Sequence, residues 1–96
     1  MDLQKVIALA IPVLKKYRVK KAALFGSLVR GETHEGSDID MLVDLPEKAS
    51  LFDFIDLQLQ LEDVLHKKVD LVTYDAIKPR LKPFILRDEM PIYLQS

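Results

Sequence analysis

The apolar positions of this chain fall into helical and strand-like runs that alternate along its length. Leu3, Val6, Ile7, Ala10 and Leu14 recur at helical spacing behind Asp2, which can cap a helix. Pro12 lies inside this pattern and removes one helical hydrogen bond, so a kink or a split is expected there. Val19 to Phe25 reads as a strand that ends at Gly26-Ser27. A single helical turn over Leu28 to Arg30 and a polar loop over Gly31 to Gly36 follow. Asp38 to Leu45 alternates and reads as a second strand, stopped by Pro46. Ser50 can cap a helix from Leu51 to His66. Lys68 to Tyr74 is a third strand, Lys78 to Asp88 a short helix with Pro79 near its start, and Pro91 to Leu94 a final edge strand.

The long helix carries two apolar stripes. At ~100° per residue, Leu51, Phe54, Leu57, Leu61, Val64 and Leu65 share one side, while Phe52, Ile55 and Leu59 fall nearly opposite. One stripe suits the core of a small domain. The other packs under a neighbouring element or meets a partner chain, because exposed apolar patches mark such contacts.

Composition narrows the field. The 96 residues suit one domain over 1–96, with about half of them hydrophobic and 30% charged. A formal net charge of -1 gives no broad basic field, so direct nucleic-acid binding is not expected. There is no cysteine, which excludes disulfides, thiolate metal sites and cysteine nucleophiles. No apolar run approaches the roughly 20 residues that cross a bilayer, and no leader pattern opens the chain. The expectation is a cytoplasmic protein with no membrane contact.

The chemistry concentrates in Gly26-Ser27, then Asp38-Ile39-Asp40 ten residues later, then Asp70 in the third strand. Asp38 and Asp40 are two apart on a strand and so project to one face. Unit charges 4 Å apart repel by about 4 kcal/mol at an effective dielectric near 20. Protonation, hydrogen bonds or a cation relieves such a pair. Mg²⁺ does so directly, since it favours oxygen ligands and commonly takes one or two carboxylates plus substrate phosphates. Asp70 can complete the site for two such ions or assist as the base. Glycine at a strand end permits a tight turn and close backbone approach to a ligand. The helical turn after it offers N–H groups, and the Ser27 hydroxyl can donate to a phosphate oxygen. Arg30 could reach a triphosphate or pair with Glu32 or Glu35. Asp-x-Asp and Gly-Ser are each common; their combination with a third acid points to metal–nucleotide chemistry. The remaining candidates read as structural. Asp44 is a loop or capping residue, His34 a solvated loop residue, His66 a helix end, and Tyr17 and Tyr93 half-buried packing. Tyr74 and Asp75 belong to a loop, with the nucleotide pocket as the alternative. Lys15, Lys16, Lys20, Lys21, Lys67 and Lys68 form solvated basic edges.

With these residues the chain resembles the minimal nucleotidyltransferase (MNT) proteins of the DNA polymerase beta-like nucleotidyltransferase superfamily over almost its whole length. Gly26-Ser27, Asp38 and Asp40 resemble the superfamily signature, Arg30-Gly31 and Ser37 the MNT version of it, and Asp70 the third acid. Val29 departs from the alanine often found there. The resemblance implies an α/β (α+β) nucleotidyltransferase fold, a short mixed β-sheet with helices packed on one side. It implies Mg²⁺-dependent transfer of AMP from ATP to a hydroxyl, with Asp38, Asp40 and Asp70 catalytic and metal-binding and Gly26, Ser27 and Arg30 on the nucleotide. It also implies a HEPN-type toxin as partner, neutralised by adenylylation of a tyrosine, and an oligomer with that partner in which Phe52, Ile55 and Leu59 are the first contact to consider. ATP as the nucleotide rests on the resemblance alone. Two alternatives stand beside this reading: an antitoxin that neutralises by binding only, and the catalytic subunit of a two-chain enzyme acting on a small molecule of the aminoglycoside type.

Overall fold

A computed structural model describes residues 2–32 and 38–95. The segment 33–37, which carries His34, Glu35 and Ser37, lies outside the described residues. In order, the chain forms α1 (Leu3–Lys16), β1 (Lys21–Phe25), α2 (Ser27–Arg30), β2 (Ile39–Asp44), α3 (Leu51–Leu65), β3 (Val69–Thr73), a 3-10 turn over Tyr74–Ala76, α4 (Lys82–Arg87) and β4 (Met90–Leu94).

The strands make one mixed sheet in the order β3-β2-β1-β4. β1 pairs antiparallel with both β2 and β4, while β2 and β3 run parallel with α3 as their crossover. β4 is an edge strand, as expected. It holds Pro91, which cannot donate to a ladder, and the β1–β4 register shifts between Ala22 and Ala23.

Alternation along the strands gives the sheet two different faces. Ala22, Leu24, Ile39, Met41, Val43, Val69 and Leu71 point to one side and pack with Val6, Ala10 and Leu14 of α1 and Leu57, Leu61 and Leu65 of α3. This is the main core, and the two long helices cover it. The other face carries a smaller cluster of Ala23, Leu42 and Ile77, with Phe25, Val72, Tyr74 and Ile85 of α4 packed against it.

The first helix is continuous through Pro12, and no split occurs. Pro12 is exposed, and so is Ala8, one turn earlier, whose carbonyl loses its helical partner. That carbonyl lies on the exposed side of the helix, open to solvent. The buried side of α1 is left intact. The predicted short helix also begins later than expected, at Lys82 rather than Lys78, with Pro83 rather than Pro79 in its first turn. On α3, Leu57, Leu61 and Leu65 are buried and Phe54 and Val64 half-buried, as one stripe requires. Leu51 departs from that stripe at 70% exposure, because the whole first turn of the helix, 50–53, is exposed. Lys15, Lys16, Lys20 and Lys21 are exposed, and Tyr17 and Tyr93 half-buried.

Polar contacts fix α3 in place. The Ser50 hydroxyl accepts from the Asp53 N–H at 3.2 Å, and the Asp53 carboxylate accepts from the Ser50 N–H at 2.8 Å. This reciprocal pair satisfies two helix-end donors. The Tyr17 hydroxyl donates to Asp56, tying α1 to α3, and this bond pushes the Tyr17 pKa up to about 12. Gln58 donates to the Val69 carbonyl at 3.0 Å, and Glu62 accepts from the Val69 N–H at 2.9 Å. Both groups lie at the open edge of β3, so α3 caps that edge and sets where Asp70 begins. Replacing Ser50 by alanine removes the cap and is expected to cost about 1 kcal/mol, or roughly 4–8 °C of melting temperature. A thermal melt followed by circular dichroism checks this; an unchanged midpoint would show that the cap contributes nothing.

Candidate active site

The strand register builds the site. Phe25 of β1 pairs with Asp40 of β2, and Asp40 pairs with Asp70 of β3. Adjacent strands lie about 4.8 Å apart, so the two carboxylates start as neighbours on one face. That face is the one away from α1 and α3. Asp38, two residues before Asp40, is exposed at the mouth of β2. The Ile39 N–H beside it donates to the Lys68 carbonyl at 2.9 Å, which draws the starts of β2 and β3 together.

Gly26 closes the row. It leaves β1 at φ 77°, a conformation that side chains other than glycine's rarely adopt. A Cβ built on it would sit less than 3.0 Å from Asp40 Oδ2. The space that glycine leaves is filled by the carboxylate, so the glycine serves both the turn and the acid. Ser27 then opens α2, half-buried, and Gly31 ends that turn in the left-handed region at φ 74°.

Burial and like charge act on Asp40 together. The half-buried carboxyl is raised from 3.8 to about 6, first by desolvation, then by Asp70 and Asp38, with Arg30 opposing. The other three sequence-predicted charged residues therefore all act on Asp40. Arg30 is also held by two acids: its Nε donates to Glu32 at 3.1 Å and its Nη1 to Asp88 at 2.5 Å. These bonds, Glu32 first, raise the guanidinium pKa further. Glu32 was a foreseeable partner. Asp88 was not, because 58 residues separate it from Arg30 and no local pattern connects them.

Among the described residues, no three acidic or imidazole side chains converge into a ready-made metal cage. Asp38 and Asp70 are exposed. The donor set is nonetheless all carboxylate oxygen, the chemistry that suits a hard divalent cation. The repulsion on Asp40, which Arg30 offsets only in part, is of the kind such an ion relieves.

The other candidates lie elsewhere. Asp44 ends β2, and its carbonyl accepts from the Lys20 N–H at 2.7 Å. His66 caps α3 in the left-handed region at φ 54°. Tyr74 and Asp75, with Lys20, Lys21, Asp44 and Thr73, line a surface cavity of about 560 Å³ at the far end of β2 from the acids. Burial and a hydrogen bond to Glu89 push the Tyr74 pKa up, and the Lys21 ammonium lies 4.4 Å from its ring.

Residues 10–96 match the polymerase beta nucleotidyltransferase domain. The chain belongs to that family. It is a nucleotidyltransferase, and the four-stranded mixed sheet with its helices is the family's fold. A candidate protein adenylyltransferase of Methanocaldococcus jannaschii is 44% identical over 92 residues, covering 96% of this chain and 99% of its own length. The protein adenylyltransferase MntA of Thermococcus cleftensis is 42% identical over 74 residues, covering 77% of this chain and 75% of its own. Among solved structures, a candidate minimal nucleotidyltransferase superposes with a TM-score of 0.82 at 37% identity, covering 95% of this chain and 96% of that one. An MNT antitoxin in complex with a tri-AMPylated Shewanella oneidensis HEPN toxin shares the fold, with a TM-score of 0.73 at 20% identity over 96% of this chain and 72% of that one.

Two outcomes follow from the geometry. Because the folded pKa of Asp40 lies above its unfolded value, the folded state holds the extra proton between pH 3.8 and about 6. Stability therefore falls as pH rises through that window. Asp40→Asn is expected to match the native chain near pH 4 and to exceed it at pH 8 by about 1 kcal/mol, after allowance for solvent screening of a half-exposed group. Melts at the two pH values check this, and an equal difference at both would remove the raised Asp40 pKa. Gly26→Ala is expected to lower the melting temperature at either pH, since the new methyl must displace the Asp40 carboxylate.

Proposed function

We propose that this chain is a Mg²⁺-dependent protein adenylyltransferase that moves AMP from ATP to a hydroxyl of a partner protein, a tyrosine of a HEPN-type toxin for which it is the antitoxin, in the cytoplasm. The in-register pair Asp40–Asp70 beside Gly26 carries this reading. The names of the two curated relatives and the tri-AMPylated toxin bound by an MNT antitoxin support it.

In this reading Asp38, Asp40 and Asp70 hold Mg²⁺, which when bound neutralises charge on the triphosphate and lowers the pKa of the acceptor hydroxyl. Gly26 lets the backbone approach the β- and γ-phosphates, and the Ser27 hydroxyl donates to one of their oxygens. Arg30 adds charge-assisted donors. Asp70 stands at the acceptor side, where it holds the ion or takes the hydroxyl proton. The acceptor oxygen attacks the α-phosphorus in line, a new oxygen–phosphorus bond forms, and the α–β anhydride bond breaks. Pyrophosphate leaves with the bonding pair.

The partner surface in this proposal is the outer stripe of α3. Phe52, Ile55 and Leu59 are 82%, 44% and 57% exposed. They face away from the sheet, on the side opposite the acids. Contact there can hold a partner, while the acceptor hydroxyl has to reach Asp40 on the opposite face, around the sheet edge or from a second copy of the partner.

Incubation of the chain with its gene-neighbour protein, Mg²⁺ and each nucleoside triphosphate, read by intact mass, tests the activity. The expected result is a gain of whole AMP units on the neighbour from ATP, abolished by Asp38→Asn with Asp40→Asn. A stable complex with no mass gain would instead favour neutralisation by binding alone. Phe52→Ser with Leu59→Ser is expected to weaken the complex at least tenfold, since exposed aromatic and aliphatic anchors dominate such interfaces. Sedimentation of the mixed proteins checks it, and an unchanged complex would move the contact off α3.

A further inference from the structure

Arg30 stands on α2, a helix of four residues that cannot by itself hold a long side chain still. What holds it comes from the other end of the chain. Asp88 is the residue that ends α4, immediately before β4. Its position is set from two sides. Ile85 of α4 packs on the small cluster of the open sheet face, and Met90 of β4 pairs with Leu24, two residues before Gly26. Asp88 is thus fixed to the same frame that fixes the acids. Its side chain is 24% exposed, against 61% for Glu32, the other carboxylate on Arg30. Of the two partners, Asp88 is the better held.

A guanidinium has five N–H donors in a rigid fork. Glu32 takes the Nε donor and Asp88 one donor on Nη1. Among the described residues, three have no acceptor: the second on Nη1 and both on Nη2. Arg30 ends the short turn that Gly26 opens against the Asp40 carboxylate, which places its charge at the edge of the acid site. We infer that Asp88 is a positioning residue, one that clamps Arg30 beside the acid cluster so that its remaining guanidinium donors are aimed at the oxygens of a bound nucleoside triphosphate. Without it, Arg30 keeps its charge but loses its aim, and the ordering of a long flexible side chain falls on the binding step. The inference rests on the proposed nucleotide chemistry and adds to it the residue that orients the cation.

The test is titration calorimetry of the full chain with Mg²⁺ and an ATP analogue that has a methylene between the α- and β-phosphorus. Asp88→Ala is expected to weaken binding about tenfold, the scale of removing a single charge-assisted hydrogen bond. Asp88→Asn keeps an oxygen acceptor in place and is expected to stay within about threefold of the native chain, the rescue that a positioning role predicts. Asp88→Ala should add nothing in an Arg30→Ala background. In transfer assays, Asp88→Ala should raise KM for ATP and leave kcat at saturation within about twofold. Asp88→Ser, which stays polar but cannot reach Arg30, replaces the alanine variant if that one unfolds. If Arg30→Ala weakens binding while Asp88→Ala binds as the native chain or tighter, the clamp is overturned and the nucleotide reading stands. If Arg30→Ala binds as the native chain, Arg30 is not on the nucleotide and the clamp falls with it. If the native chain does not bind the analogue, the proposed function itself fails.

Discussion

One row of the sheet carries the rest of the site. Phe25, Asp40 and Asp70 lie side by side across β1, β2 and β3. That register puts Gly26 against the Asp40 carboxylate and lets Asp38 stand at the mouth of β2. A slip of one residue in either pairing would turn Asp40 or Asp70 into the apolar core, where an unpaired charge is costly. The same alternation that buries Ile39, Met41 and Val43 under α1 and α3 therefore forces Asp40 to the open face. Core packing and site geometry are two results of one pattern.

The open face holds repulsion that the core supports. Asp40 is desolvated and faced by Asp70 and Asp38, and its carboxyl is raised accordingly. The apolar layer beneath fixes the backbones, so the acids cannot relax by separating their strands. Gln58 and Glu62 of α3 add to this by holding Val69, the residue just before Asp70. The register thus keeps the backbones of Asp40 and Asp70 side by side, while the carboxylates themselves do not converge into a ready-made cage among the described residues. Arg30, bound by Glu32 and Asp88, is the matching cation, and it too is held from outside its own short helix.

Several parts of this were legible in the residues. The spacing from Leu3 to Leu14, the Ser50 cap and the alternation from Asp38 to Leu45 each follow from chain geometry within a few residues, and each element formed. Pro12 does not split α1, because the carbonyl that loses its partner lies on the exposed side of the helix. Leu51 was misleading because angle around a helix says nothing of where the helix overhangs its neighbours. The start of α4 slipped by four residues because Pro79 and Pro83 both offer a helix N-terminus, and the choice falls to where Ile85 meets the sheet.

The sequence by itself determined which residues could form the site. The acids at 38, 40 and 70, the glycine that ends β1 and the two-residue repeat that puts Asp38 and Asp40 on one side are local properties of the chain, set by backbone geometry. The tertiary structure decided which strands are neighbours, in what direction they run, and hence that Asp40 stands beside Asp70 and against Gly26. It also decided that Asp88 meets Arg30. These contacts join residues far apart in the chain, and they arise only when many apolar groups are buried together, a collective energy that no short stretch of residues contains.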